Sequence, residues 1–284
     1  MVCRSLLRFP RTGRNGHTQY ACVSNYNLTY ELQTGYRIPT MKLIFLTDLH
    51  IDVDGEHPQG VDVREHVRRA LAYTVGQQPD ALIIGGDICN KTGDRAIYEW
   101  TKRELDRLPF PYYVIAGNHD DSELLADVFG LQRNLHGTEL YYALPLNGHP
   151  ALFLDSAAGE LSAEQWTWLR EHLLALGHSN VLIFMHHPPV PAGSQFMDAT
   201  YPFRQPEPFL ELIRELPGYV TVVCGHYHTE RLVQRDNLLV LLTPSTYLQL
   251  RTDTPGMAID HQRIGLRELT LTGHGLTSVV HYAD

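Results

Sequence analysis

Five places in this sequence end an apolar run on residues able to hold a metal ion. LIFL leads into Thr47-Asp48-Leu49-His50, and ALII into Gly85-Gly86-Asp87. YYVI leads into Ala116-Gly117-Asn118-His119-Asp120, VLIF into Met185-His186-His187, and VTVV into Cys224-Gly225-His226-Tyr227-His228. One aspartate after a strand is ordinarily a turn or cap residue, and one histidine is ordinarily structural. Five such ends, three with glycine where backbone must turn or approach closely, point instead to a shared centre at one edge of a sheet. In D-x-H and H-x-H, the alternation of an extended chain leaves both residues on one side. The neighbours His186 and His187 face opposite ways by the same rule, so only one of them is expected at the centre.

The donors are two carboxylates, one amide and several imidazoles, with no thiolate. This oxygen and nitrogen set suits Mn, Fe or Zn in a catalytic role better than a structural cysteine-type zinc. The donors exceed the needs of one ion, which implies two ions sharing a bridging carboxylate. Two metals about 3.5–4 Å apart serve in-line displacement at phosphorus.

The elements that must position these residues are legible around them. LIFLTD (43–48), ALIIGGD (81–87), YYVIAG (112–117), ALFLD (151–155), VLIFM (181–185) and VTVVCG (220–225) are short, continuous and rich in β-branched or aromatic residues, as buried strands are. VREHVRRALAYTV (63–75) sets Val63, Val67, Ala70, Leu71 and Val75 on one helical face. SAEQWTWLREHLLAL (162–176) opens with Ser162 and Gln165 at capping-box spacing, and its tryptophans and leucines are expected to face the core. From about residue 238 the chain is strand-rich (LLVLLT, RELTLT, LTSVVHY). Strand–helix alternation followed by such a tail predicts a layered α/β sandwich with some antiparallel pairing. No internal repeat or linker interrupts residues 41–284, which are expected to form one domain.

Residues 1–40 differ, carrying Arg4, Arg8, Arg11, Arg14 and Arg37 against the single acid Glu31. They lack the apolar segment of a secretory signal. The reading is a loosely ordered extension, or a start codon placed upstream of Met41; an organelle-targeting segment is the lesser alternative.

The whole chain of 284 residues, 43% hydrophobic and 19% charged, has an ordinary globular composition, and no apolar run is long enough to cross a bilayer. A net charge of −9 disfavours a nucleic-acid polymer as partner, although metal ions can still draw a small phosphate ester to an acidic protein. Cys3, Cys22, Cys89 and Cys224 form no C-x-x-C pair, so a reducing, cytoplasmic setting is expected, with Cys89 and Cys224 as packing residues.

Taken in order, D-x-H, G-D, G-N-H-D, H and G-H-x-H resemble the motif set of the calcineurin-like metallophosphoesterases, complete from Asp48 to His228. The resemblance implies a four-layer α-β-β-α sandwich with mixed sheets. It also implies one metal held by Asp48, His50, Asp87 and His228 and another by Asp87, Asn118, His186 and His226, with attack on phosphorus by a metal-bridging hydroxide. By the same resemblance Asn118 and His119 meet the phosphate, His119 stabilising charge or protonating the leaving oxygen. Asp120 would orient His119; capping the helix that starts near Asp121 and Ser122 is its other reading. His187 is expected to point away into an outer hydrogen bond or beneath Pro188 and Pro189. The acidic loop IDVDGEH (51–57) could touch substrate or a cation, but a solvated loop is the simpler expectation.

The segment GDICNKTGDRA lacks the Asp-Arg-Gly of the superfamily's protein phosphatases, and the acidic chain lacks the basic surface of its nucleases. HHPPVPAG (186–193), CGHYH and LLTPSTYLQL (241–250) resemble bacterial class III cyclic-nucleotide phosphodiesterases. That resemblance places Ser245, Thr246 and Gln249 on the substrate side, their alternative being a turn and an edge strand. It implies hydrolysis of a small phosphodiester, cyclic AMP first, by a protein that could form a homodimer. Glycerophosphodiester hydrolysis, phosphomonoester or nucleotide pyrophosphate hydrolysis, and a non-catalytic scaffold are the rivals.

Overall fold

The computed structural model describes residues 40–177 and 179–283. The extension expected over residues 1–40 lies, except for its last residue, outside the described residues, as do Cys3 and Cys22. Two mixed sheets form the centre. In the first, β1 (Met41–Leu46), β2 (Ala81–Ile84) and β3 (Tyr112–Val114) run parallel, and β14 (Ile264–Thr272) and β15 (Gly275–Ala283) extend it antiparallel, in the order β15-β14-β1-β2-β3. In the second, β7 (His149–Phe153), β8 (Val181–Phe184), β9 (Val220–Cys224) and β11 (Leu238–Leu242) are parallel. Antiparallel β6 (Tyr142–Leu146) and β10 (Arg231–Arg235) close its two edges, while β4 (Leu135–His136) with β5 (Glu139–Leu140) and β12 (Gln249–Leu250) with β13 (Ile259–His261) form two small separate pairs.

Strand alternation explains why the sheets stack. Along β8, Leu182 and Phe184 pack toward the first sheet, while Val181 and Ile183 join a separate cluster on the opposite face. Phe153 and Phe184 stack at 5.0 Å, and Phe45 reaches Phe184 at 6.0 Å across the inter-sheet core. Buried Arg267 of β14 adds a polar tie, donating to the Leu242 carbonyl at 2.6 Å and to Thr243 Oγ1 at 3.1 Å at the end of β11. Strands covered on both faces read as unbroken apolar runs, as the sequence shows.

Helices supply the outer layers. α1 (Val63–Gln77), α2 (Arg95–Leu105) and α3 (Ser122–Phe129) join the core of the first sheet through Val67, Leu71, Ile97, Trp100 and Leu125. α4 (Ala163–Leu176), the short α5 (Gln195–Thr200) and α6 (Pro206–Arg214) cover the second sheet through Leu169, Leu173, Met197, Phe209 and Ile213. The layers are thus α-β-β-α, as the motif resemblance implies.

Local departures have local causes. The buried stripe of α1 ends on Thr74, not Val75; Thr74 satisfies its hydroxyl on the Ala70 carbonyl at 2.8 Å while Val75 stays exposed. The capping box of α4 is half formed. Ser162 Oγ accepts from the Gln165 N–H, but the Gln165 amide is drawn into the core, where it bonds the N–H and carbonyl of Asp155. Trp166 and Trp168 are half-buried, and Leu174 is exposed.

Phe153 sits where both sheets meet, stacked on Tyr142 at 4.6 Å and on Phe184. Phe153→Ala is expected to destabilise the fold by about 3–5 kcal/mol in urea denaturation. A loss below about 1 kcal/mol would show that the inter-sheet aromatic stack is not the core contact proposed.

Candidate metal centre

All five strand ends meet beyond the carboxyl ends of β1, β2, β3, β8 and β9. The pairing of β1 and β2 continues past the strands: Asp48 N–H donates to the Gly86 carbonyl and His50 N–H to the Asp87 carbonyl, each at 3.0 Å. These segments are not extended, as alternation alone predicts. Asp48, His50, Asp87, His226 and His228 all have positive φ, between 44° and 67°. Aspartate and histidine tolerate this left-handed backbone where β-branched residues do not. Both members of D-x-H still reach the centre, by turning the backbone and not by alternation.

Glycine lets these turns close in on one another. A Cβ on Gly117 would run into the Asp87 N–H and carboxylate, and one on Gly225 into Thr47 Oγ1 and the Asp48 carboxylate.

Two carboxylates hold the middle. Asp48 Oδ1 lies 3.2 Å from His228 Nε2, 3.8 Å from His186 Nε2 and 4.0 Å from His50 Nε2. Asp87 Oδ2 lies 3.2 Å from His186 Nε2 and 3.7 Å from His50 Nε2. The side chains fall into three groups with the spacing of metal ligands: Asp48, His50 and His228; Asp87, His186 and His226; and His50, Asp87 and His119. Asp87 and His50 each occur in two of the three, and of the pair only the carboxylate has two oxygens with which to bridge two ions. Asn118 stands exposed in the turn between two tethered N–H groups, Gly117 to Asp120 and His119 to Asp87.

Backbone carbonyls fix the imidazoles. Only a ring N–H can meet a carbonyl, so His186 Nδ1 donates to Gly85 at 2.9 Å and His228 Nδ1 to Leu248 at 3.0 Å, leaving each Nε2 for the centre. His226 is reversed: Nε2 donates to the Tyr201 carbonyl at 3.0 Å, which leaves Nδ1. The fit to metal is direct at His186, whose buried Nε2 has no hydrogen-bond partner although carboxylates surround it.

The electrostatics favour ligation. Burial would raise the Asp48 carboxyl, but His228 and His186 outweigh it and hold it at about 2. Asp87 is likewise held well below the usual range by His186 and His50 against its burial. Burial, then neighbouring imidazoles, push His50 down to about 3 and His226 down to about 4, so both are neutral donors. At His186 burial opposes protonation, but Asp87 and Asp48 prevail and lift it to about 9.

A family model for "Calcineurin-like phosphoesterase" matches residues 41–230. The chain belongs to that family. It is 30% identical over 221 residues to a "Probable cyclic nucleotide phosphodiesterase" of Fibrobacter succinogenes, covering 78% of this chain and 86% of the relative. It is 29% identical over 242 residues to the 3',5'-cyclic adenosine monophosphate phosphodiesterase CpdA of Pseudomonas aeruginosa, covering 82% of this chain and 86% of that one. A third relative, the glycerophosphodiester phosphodiesterase GpdQ of Enterobacter lignolyticus, is 28% identical over 264 residues, 86% of this chain and 93% of its own. Among solved structures, a dimetal phosphatase from Danio rerio superposes with a TM-score of 0.58 at 12% identity, over 86% of this chain and 99% of that one, a likeness of fold.

Several motif residues of this calcineurin-like phosphoesterase differ from expectation. Asp120 neither bonds His119 nor caps the helix. Its carboxylate accepts from the N–H groups of Gly117, Ile88 and Cys89 and from Tyr98 Oη, and so welds the β2 and β3 turns together. Burial and the Asp87 charge push it up to about 6 against those donors. Asp121 is the cap, accepting from Leu124 N–H at 2.9 Å, and the His119 ring is held by the Lys91 carbonyl at 3.1 Å.

Ser245, Thr246 and Gln249 are buried behind the centre and are not a substrate wall. Ser245 Oγ donates to the Asp48 carbonyl at 2.9 Å, and the Thr246 N–H donates to the Thr47 carbonyl at 3.0 Å. The Gln249 amide closes on the Ser245 N–H and carbonyl and on the Arg263 carbonyl. They brace the end of β1 from behind. Cys89 and Cys224 are buried free thiols, and burial raises both.

His187 takes an outer hydrogen bond, Nδ1 to Ser156 Oγ at 3.3 Å, yet its ring packs 4.1 Å from that of His226. Burial, with His226 and His186, keeps it neutral. Ser156 and the carbonyls of Gly85, Tyr201 and Leu248 carry no motif signal, because any residue supplies a carbonyl. His186→Ala is expected to lose metal, measured by elemental analysis, and more than about 100-fold in turnover. His187→Ala should keep its metal and lose about 1–3 kcal/mol of stability through the lost ring contact with Ser156 Oγ and the space left beside His226. Equal loss of metal in both variants would overturn this division.

Proposed function

We propose that this chain is a dinuclear-metal phosphodiesterase acting on small phosphodiesters, with 3',5'-cyclic nucleotides, cyclic AMP first, as its substrate class. The observation that carries the reading is the run of ligand groups linked through His50 and Asp87, with His186 Nε2 lying 3.2 Å from Asp87 and 3.8 Å from Asp48, both buried. The names of the relatives from Fibrobacter succinogenes and Pseudomonas aeruginosa support the cyclic nucleotide.

Asp48, His50, Asp87 and His228 would hold one ion, and Asp87, Asn118, His186 and His226 the other. The ions, when bound, supply positive charge for the phosphoryl oxygens and lower the pKa of an attacking water. The chain's own residues do the rest. The carbonyl-fixed imidazoles and the turned backbone set the ligand geometry before substrate arrives. Asn118 and His119 lie on the turn that faces the phosphate. His119, with Nδ1 committed to Lys91, offers Nε2 to a phosphoryl or leaving oxygen. Asp120 keeps that turn in place through the Gly117 N–H and does not touch the reacting atoms.

The second reading, glycerophosphodiester hydrolysis, is favoured by the likeness to GpdQ, which spans 86% of this chain. A panel of cyclic AMP, cyclic GMP, glycerophosphocholine, a bis-aryl diester and matching monoesters decides among them. Diesters should exceed monoesters by about tenfold or more in kcat/KM, cyclic AMP should lead, and Asp87→Asn should cost more than about 100-fold. A tenfold preference for monoesters would reject the diester assignment. Full activity in Asp87→Asn without bound metal would reject the dinuclear enzyme.

A further inference from the structure

We propose that Asp52 is a positioning residue for His119, acting through the carbonyl of Lys91. The inference rests on the reading that His119 meets the substrate. Asp52 opens the acidic loop 51–57, yet it does not share the loop's solvation. It is 5% exposed, whereas residues 53–57 are exposed.

Its carboxylate gathers donors from a different segment. Asn90 Nδ2 donates to Oδ2 at 2.9 Å, and Lys91 Nζ approaches Oδ2 at 3.3 Å and Oδ1 at 3.4 Å. The Val53 N–H donates to Oδ1 at 2.8 Å, and Arg64 Nη2 holds the Asp52 carbonyl at 3.1 Å. The residue is therefore fixed at both its backbone and its side chain. The backbones beside it are paired as well, Ile51 N–H to the Ile88 carbonyl and Asn90 N–H to the Ile51 carbonyl, at 2.8 Å and 2.9 Å.

Among the described residues that pairing ends at Asn90, and the Lys91 side chain continues the contact to Asp52. The Lys91 carbonyl receives His119 Nδ1 at 3.1 Å, while the Lys91 side chain is 72% exposed apart from its contact with Asp52. Asp52 thus anchors, through Asn90 and Lys91, the carbonyl that His119 Nδ1 meets. With Nδ1 carrying its proton toward Lys91, Nε2 occupies the other edge of a ring that stands edge-on to His50 at 5.1 Å. The acidity of this loop is in part a clamp on the neighbouring turn.

Asp52→Asn tests the chain of contacts. It preserves size and an acceptor for Val53, but sets an amide N–H where the Asn90 and Lys91 donors converge. In the full, metal-loaded protein, kcat should fall about tenfold with KM and metal content changed less than about twofold. Placed on His119→Ala, the same substitution should cost less than about twofold, since coupled residues are not additive. In the zinc-loaded, diamagnetic protein, the His119 ring-nitrogen NMR signals should shift from the Nδ1-protonated form toward mixed tautomers. Lys91→Gln, a change at an exposed side chain that leaves the fold intact, should move the same signals in the same direction. Equal losses from Asp52→Asn with and without His119, or unchanged ring signals in both variants, would overturn the proposal. If His119→Ala alone leaves turnover intact, the substrate role of His119 fails, and the NMR shift still decides whether Asp52 positions the ring.

Discussion

The burial of two carboxylates that share the imidazoles of His50 and His186 is the constraint on which this structure turns. Asp48 and Asp87 are almost wholly shielded from water, and an isolated buried charge costs several kcal/mol. Their neighbours answer that cost. Asp48 receives the His226 N–H at both oxygens and Asp87 receives the His119 N–H, while the imidazoles of His50, His186 and His228 lie within 4.0 Å of one or both. His186 is the imidazole most strongly drawn to these charges: burial opposes its proton, but the two carboxylates lift it to about 9. Metal ions held there would supply more positive charge than one imidazole can, so a site this unfavourable as protein alone suits the chemistry of the family.

Turning so many donors onto two carboxylates strains the backbone. Five residues of the metal motifs have left-handed φ, a conformation that costs roughly 1–2 kcal/mol per non-glycine residue. Such strain persists only where the surroundings over-determine it. Here the surroundings are specific: the continued pairing of the β1 and β2 turns, the Asp120 carboxylate joining the β2 and β3 turns, and Ser245 beneath the Asp48 carbonyl. Asp120 and Ser245 hold the motif's geometry from outside the ligand groups.

The strands, the layers and the gathering of Asp48, His50, Asp87, His186, His226 and His228 were legible because each is signalled by a residue type at a strand end. Apolar runs between turn residues marked β1, β2, β8 and β9, and the donors following them could face only one edge. What escaped was direction. Nothing in G-N-H-D separates Asp120 accepting from Gly117 from Asp120 supporting His119, since both lie within reach of one carboxylate. Ser245, Thr246 and Gln249 were assigned to the substrate side from resemblance to a segment, and a segment's position in a motif does not say which of its faces is buried. Asp52 was concealed by its neighbours: among Asp54, Glu56 and His57, a buried acid looks like one more solvated charge.

H-x-H shows how far spacing reaches. His226 and His228 both reach the same centre, each on a left-handed turn and not by strand alternation, but in different ligand groups: His228 with Asp48 and His50, His226 with Asp87 and His186. The division follows from which ring nitrogen each has free. The Leu248 carbonyl takes Nδ1 of His228 and leaves the distal Nε2, whereas the Tyr201 carbonyl takes Nε2 of His226 and leaves Nδ1, close to its own backbone. Two histidines two residues apart therefore present donors at different depths and can serve two ions without competing for one. That distinction resides in two backbone carbonyls from distant parts of the chain, which no local spacing encodes.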